Sequence, residues 1–242
     1  MCSSQPSAQI LSWDTRLLGF PVARIDGLST DTLAIVEILT ALRRKGVGLA
    51  YARTLGGPHV EAAATQARGK LVNRRVTYTA DLRSEHDSEA PADFEIVPCS
   101  GPLTPALESL ALASGICSRF RVDPRIPEPV FEALYRTWIR KSVTHELAER
   151  VFVARVRGAE CGMVTVASEG DRGTIGLIAV EERERGQGLG RALLRCARQH
   201  HVAMGRPILQ VVTQQSNVPA CKLYERSGFR VERNEAEYHF WL

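Results

Sequence analysis

Arg185-Gly186-Gln187-Gly188-Leu189-Gly190-Arg191 sets cations around three glycines at alternate positions, a composition suited to holding an anion. Glycine weakens helices and strands alike. Three of them between the apolar run IGLIAV and the helical segment GRALLRCARQHHVAM therefore need a local cause. The first turn of a helix leaves about four backbone N–H groups without intrahelical partners, and the aligned peptide dipoles put about half a positive charge there. A turn stripped of side chains lets a phosphate rest on those amides, with Arg185 and Arg191 supplying charge beside them. The competing reading is a flexible turn followed by a basic helix cap. A Walker A loop is excluded because no lysine follows the glycines, and GxGxxG because the third position after Gly188 is Arg191.

Further along, Asn217 and Tyr224 are seven residues apart, two helical turns, and so share a face. On residue type alone Asn217 is an N-cap and Tyr224 a packed core residue. The pair His200-His201 fits a helix end, with nothing at metal-ligand spacing beside it in the sequence, and no metal is expected.

These residues need a scaffold. After an acidic, small-residue segment, Ser84–Asp93, the chain reads as strand FEIVP and a helix from Pro105 capped by Thr104. The loop SRFRVDPRIPEP follows, then a helix over 129–142 with Phe131, Leu134, Tyr135 and Trp138 on one face. RVFVARV and CGMVTVA form a hairpin through RGAE, and GTIGLIAV follows as a third strand. The glycine cluster, its helix, the strand PILQVVT, the helix VPACKLYERSG and a last strand YHFWL complete a mixed α+β pattern. Before the acidic segment lie strands PVARI, GLAYAR and KLVNRRVTYTADL. A helix among them is capped by Ser29 or Thr30, has apolar spacing at Leu33, Val36, Leu39 and Leu42, and stops at Gly46. The chain thus divides into 1–83, a linker over 84–93, and 94–242.

The 242 residues are 44% hydrophobic and 24% charged, enough for a substantial core. A net charge of +4 is less basic than nucleic-acid binding asks for. The six cysteines are scattered without a CxxC pair and read as reduced thiols. The N-terminus lacks a secretory pattern, and no apolar run approaches the roughly 18 residues of a membrane span. A cytoplasmic protein is expected.

Arg185-Gly-Gln-Gly188-Leu-Gly190 fits the [RQ]-x-x-G-x-[GA] loop of the GCN5-related N-acetyltransferase (GNAT) superfamily, and NVPACKLYERSGF resembles that family's N-x-x-A-x-x-x-Y-x-x-x-G-F segment. LSWDTRLLGFPVARI, SRFRVDPRIP, LYRTWIRKS and the C-terminal stretch from TQQSNVP resemble the TDP-fucosamine acetyltransferase branch. The resemblance implies a GNAT fold, a mixed, mostly antiparallel central sheet flanked by helices, with a smaller, incomplete GNAT-like N-terminal α/β domain. It also implies transfer of acetyl from acetyl-CoA to a primary amine by direct attack in a ternary complex. The acceptor it points to is a nucleotide-linked amino-deoxy sugar; a peptide N-terminus, an antibiotic-like amine and a non-catalytic acyl-CoA-binding module are the alternatives.

By the same resemblance Leu177, Ile178, Ala179 and Val180 would bond the pantetheine arm, with the Ile178 N–H polarising the thioester carbonyl. Arg185, Gly186, Gln187, Gly188, Leu189, Gly190 and Arg191 would hold the pyrophosphate, and Asn217 would contact the arm. Tyr224 would donate to the departing thiolate as general acid. Arg119, Phe120 and Arg121 are candidates for gripping the acceptor diphosphate and lining its pocket. His239 or water would take the amine proton. The partners expected are small-molecule amines, with no nucleic acid or membrane, and a homodimer is compatible.

Overall fold

The computed structural model describes residues 7–83 and 94–242. The segment read as a linker, 84–93, lies outside the described residues. In chain order the elements are β1 (Ser7–Ile10), α1 (Ser12–Leu18), β2 (Val22–Asp26), α2 (Thr32–Arg44), β3 (Leu49–Thr54), α3 (Pro58–Gln66) and β4 (Lys70–Asp81). They continue as β5 (Glu95–Pro98), α4 (Pro105–Ser114), α5 (Arg119–Val122), α6 (Glu128–Val143), β6 (Arg150–Val156), β7 (Ala159–Glu169) and β8 (Arg172–Val180). Then come α7 (Leu189–Ala203), β9 (Ile208–Gln214), α8 (Val218–Arg226) and β10 (Arg230–Trp241).

The strands form one ten-stranded sheet in the order β1-β2-β3-β10-β4-β9-β8-β7-β6-β5. Two of the described pairs, β2–β3 and β8–β9, are parallel, each bridged by a crossover helix as parallel pairing requires. The architecture is α+β, a mixed, mostly antiparallel sheet flanked by helices. One side of β4, β7, β8 and β9 is covered by α7 and α8, which bury Leu189, Leu193, Leu194 and Tyr224 against it, and Phe229 just after α8 joins them. On the other side α4 and α6 bury Leu107, Phe131, Leu134 and Ile139 against β6, β7 and β8. A third cluster packs Ile35, Leu39 and Ala64 of α2 and α3 over β2, β3 and β10.

Local chemistry explains the ends. Thr104 caps α4 by accepting from the Leu107 N–H at 3.2 Å, as expected. The cap of α2 is not Ser29 or Thr30 but Asp31, which accepts from the Leu33 N–H at 2.9 Å. The buried stripe is Ile35, Leu39 and Leu42, and Leu33 and Val36 of the expected spacing are exposed. The β6–β7 hairpin turns on Arg157 and Gly158 alone, both at positive φ (50° and 80°), a two-residue turn tighter than the four residues expected.

β10 extends well upstream of the apolar YHFWL. It is central, between β3 and β4, and its faces differ. Ala236, Tyr238 and Phe240 join the α2–α3 core, whereas Glu237 and His239, both fully buried, face a polar layer under α1 and α5. There Asp123 lies 2.6 Å from His239 Nδ1 and accepts from Trp241 Nε1 at 2.9 Å and the Arg125 N–H at 3.2 Å. Burial alone would raise its pKa, but the bonds from His239 and Trp241 outweigh that and hold the carboxyl well below the usual carboxylate range. Removing one partner of such a pair strands the other. Asp123→Ala is therefore expected to lower unfolding stability by about 3 kcal/mol in urea titrations, and Asp123→Asn by less.

Candidate active site

The site begins with a fault in the sheet. β8 pairs in parallel with β9 only over Arg172–Ile175 against Ile208–Val211. Past that point β9 stays with β4, Arg75 facing Gln214, while β8 stays with β7 up to Val180 facing Gly162. The two strands part and a cleft opens between them. At the parting β8 is bulged. Val164 faces Ile178 and Val166 faces Ile175, so Gly176 and Leu177 together oppose Thr165. The Leu177 N–H, out of ladder register, donates to Thr165 Oγ1 at 2.8 Å. A Cβ on Gly176 would fall 2.8 Å from that same oxygen, so only glycine fits.

The bulge sets which amides face the opening. Successive residues of a strand present N–H and C=O to opposite edges. The Leu177 and Glu181 N–H groups point to β7, bonding Thr165 Oγ1 and the Cys161 carbonyl (2.7 Å). Ile178 and Val180 therefore turn theirs to the cleft, where the Val180 carbonyl accepts from Arg185 Nε at 3.1 Å.

The three glycines at the head of α7 turn out to have two separate causes. Gly186 and Gly188 sit at φ 83° and 89°, a region that L side chains rarely adopt. A Cβ at either would meet nothing within 4 Å, so the space above them is open. Gly190 lies at negative φ and answers to packing, since its Cβ would come 3.1 Å from Leu223 Cδ2. It lets α8 sit close against α7. The first intrahelical bond runs from the Ala192 N–H to the Gly188 carbonyl (3.0 Å), so the amides of Leu189, Gly190 and Arg191 come before it. Arg185 and Arg191 are exposed at this mouth. Arg195 and Lys222, which also line the cleft, were not singled out by the sequence reading, although Arg191 and Arg195 stand one helical turn apart.

On α8, Asn217 caps the helix by accepting from the Ala220 N–H at 3.4 Å, and it lines the cleft as well. Tyr224 is 2% exposed and also lines the cleft. Its ring is held between Tyr78 (5.5 Å) and Phe229 (5.8 Å). Burial pushes its hydroxyl above the ordinary tyrosine value, so it carries its proton at neutral pH.

The cleft encloses about 1220 Å³ and passes through the sheet. Leu177, Ile178, Ala179, Val180, the glycine loop, Asn217 and Tyr224 meet there. On the α4–α6 side its wall is Ala113, Ser114, Ile116, Cys117, Tyr135 and Trp138. The last two were expected to be core. Tyr135 is indeed buried, yet both rings border the opening.

Arg119, Phe120, Arg121 and His239 do not line this cleft. The segment expected as an open loop coils into α5, which turns Phe120 into the core. Arg119 is drawn under α1, with Nη2 3.3 Å from Asp14, Nε 3.7 Å from Glu237 and its guanidinium 3.6 Å from the Tyr51 ring centre. Arg121 pairs with Glu128 at 2.6 Å on the surface. His239 is buried beside Asp123. Arg119 is claimed by carboxylates distant in sequence, Asp14 and Glu237, which no local pattern could reveal, whereas the partner of Arg121 lies seven residues on.

Around His200 and His201 the fold brings in Glu149, a neighbour invisible to sequence spacing, and the three reach metal-ligand spacing. Arg206 occupies the middle. Its two terminal nitrogens bond both Glu149 oxygens (2.8 and 2.6 Å), and Nη1 lies 2.8 Å from His201 Nδ1. The Arg206 bonds hold the Glu149 carboxyl down at about 2, and burial pushes His201 down to about 4.

A parted β8–β9 pair facing a glycine-headed helix is the arrangement that the GNAT resemblance implies. Residues 148–231 match the acetyltransferase (GNAT) domain family, and the chain carries that domain. Over 239 residues it is 27% identical to the dTDP-fucosamine acetyltransferase of Escherichia coli O6:H1, covering 98% of this chain and 97% of that one. It is 28% identical over 153 residues to the spore coat polysaccharide biosynthesis protein SpsD of Bacillus subtilis, a match spanning 63% of this chain and 53% of SpsD. Among solved structures, a GCN5-related N-acetyltransferase from Sphaerobacter thermophilus superposes with a TM-score of 0.63 at 16% identity, over 98% of this chain and 76% of that one. No helix among the described residues is long and apolar enough to cross a membrane.

The bulge can be tested apart from any ligand. Thr165→Val removes the acceptor of the buried Leu177 N–H, and a stranded donor costs about 1–3 kcal/mol. A loss of that size in the unfolding free energy is expected, with Thr165→Ser close to wild type.

Proposed function

We propose that this N-acetyltransferase moves acetyl from acetyl-CoA to the primary amine of a nucleotide-linked amino-deoxy sugar, both substrates being bound together. The observation that carries the reading is one cleft open on both faces of the sheet, with unpaired strand edge and helix head on one side and an aromatic wall on the other. The cofactor half fits a pyrophosphate-bearing thioester. The open space above Gly186 and Gly188 admits the diphosphate against the amides opening α7, and Arg185, Arg191 and Arg195 offset its charge. The Ile178 and Val180 backbone groups would bond the pantetheine arm like an added strand. Acetyl-CoA supplies an activated acyl carbon and a thiol leaving group.

The chain's own part follows from position. The Ile178 N–H, turned to the cleft, donates to the thioester carbonyl as negative charge builds there. The amine lone pair attacks, the C–S bond breaks, and Tyr224 gives its proton to the departing sulfur. His239 does not border the cleft, and among the described residues the wall on the acceptor side carries no carboxylate, so the amine proton passes to water. The acceptor assignment is supported by the name of the relative that the chain matches over nearly its whole length. It does not rest on Arg119 or Arg121, whose partners are carboxylates of the chain itself.

A thiol-release assay over nucleotide amino sugars, aminoglycosides and N-terminal peptides tests the acceptor, and activity confined to the latter two would reject it. Tyr224→Phe should lower kcat about 100-fold while moving the KM for acetyl-CoA little; undiminished turnover would remove the proton-donor role. Gly188→Glu places a strained side chain and a negative charge at the helix head, so calorimetry should detect no acetyl-CoA binding. Normal affinity would contradict the diphosphate site.

A further inference from the structure

We propose that Trp138 is the platform on which the ring of the acceptor packs, so that the cleft selects amines carried on a ring over amines on an open chain. The inference rests on reading the cleft as the acyl-transfer site. Trp138 and Tyr135 are three residues apart on α6, and their rings stack at 5.9 Å with 25° between planes. Tyr135 is the fixed member. It is buried, and Gly115 of the facing α4 end approaches it so closely that a Cβ there would fall 2.2 Å from Tyr135 Cζ. Trp138 is half-buried and borders the opening. The buried ring thus holds the half-buried one flat.

The indole also stands at the reacting end of the cleft. Gly176, in the β8 bulge, has no side chain, and a Cβ built there would lie 3.6 Å from Trp138 Nε1. Two residues on is Ile178, whose N–H faces the opening. A group lying on the indole would therefore bring its substituents up beside the strand edge where the acyl carbon must sit. Among the described residues the rest of this wall, Ala113, Ser114, Ile116 and Cys117, is apolar or weakly polar and offers no carboxylate. Such a surface rewards burial of a flat apolar face at little cost in side-chain entropy. It gives nothing to the extra ammonium groups of a polycation, and a narrow flexible chain covers less of it.

The experiment compares Trp138→Phe, Trp138→Leu and Trp138→Ala in the full chain. The probes are a nucleotide-linked amino sugar and an open-chain primary amine, with acetyl-CoA affinity followed by calorimetry. The KM for the sugar should rise about tenfold in the Leu and Ala variants and stay near wild type with Phe. The open-chain amine should show the same low kcat/KM throughout, and acetyl-CoA affinity should not change. Leu serving as well as Phe, or an equal loss for both amines, would overturn the platform. A wild type that prefers open-chain amines would overturn it too, while leaving acyl transfer standing. Failure of acetyl-CoA to bind the wild type would remove the underlying reading and this inference with it.

Discussion

Everything in the site follows from two parallel strands that stop pairing. A parallel ladder is ordinarily buried and continuous, and leaving backbone groups of β8 without a neighbour costs unless something else bonds them. The chain makes the parting local and fixed. β9 is kept by β4 and β8 by β7, so each strand has one complete ladder and neither can drift. The bulge at Gly176 and Leu177 makes the change abrupt, and Thr165 absorbs the N–H that the shift displaces. Before the bulge Ile175 packs under α7. After it Leu177 packs under α4 and α6, so the bulge exchanges the faces of the strand as well as freeing its edge.

The helices then register on that opening. Gly190 lets Leu223 come within van der Waals contact of the α7 backbone, and this closeness, together with the Asn217 cap, sets the rotation of α8. Tyr224 is carried to the cleft as a consequence, and Tyr78 of β4 and Phe229 remove its remaining freedom. A proton donor on a rigid helix between two rings is pre-organised, which is worth more to catalysis than an equally acidic group on a loop.

How much of this was legible follows from where the information lay. The α7 head and α8 were readable because backbone conformation and local packing demand glycine at fixed spacing, and those demands are local. Gly188 at φ 89° is such a case. The apolar strands were readable for the same reason. Helices α1 and α3 escaped because neither has a strong apolar stripe, although Pro58 at the first turn of α3 was a usable signal. The upstream part of β10 escaped because residues 230–234 are exposed and largely polar, so no hydrophobic alternation marks them as a strand. Arg119 was misplaced for a related reason. Its partners Asp14 and Glu237 are 105 and 118 positions away, and only the fold makes them neighbours.

That buried charge has a structural logic of its own. β10 is central, and its residues from Glu235 to Trp241, buried or half-buried on both faces, alternate strictly. Slipping its register by one residue would turn Glu237 and His239 into the cluster of Ala50, Ala52 and Ile35, and leave Tyr238 and Phe240 facing Asp123 and Arg119. A purely apolar strand would pay little for such a slip. Here it would take Glu237 from Arg53 and Asp123 from His239, and each of these buried carboxylates left unpaired costs several kcal/mol. The polar layer therefore specifies alignment more than it adds stability. Alignment of β10 fixes β4, β4 fixes β9, and β9 is one lip of the cleft.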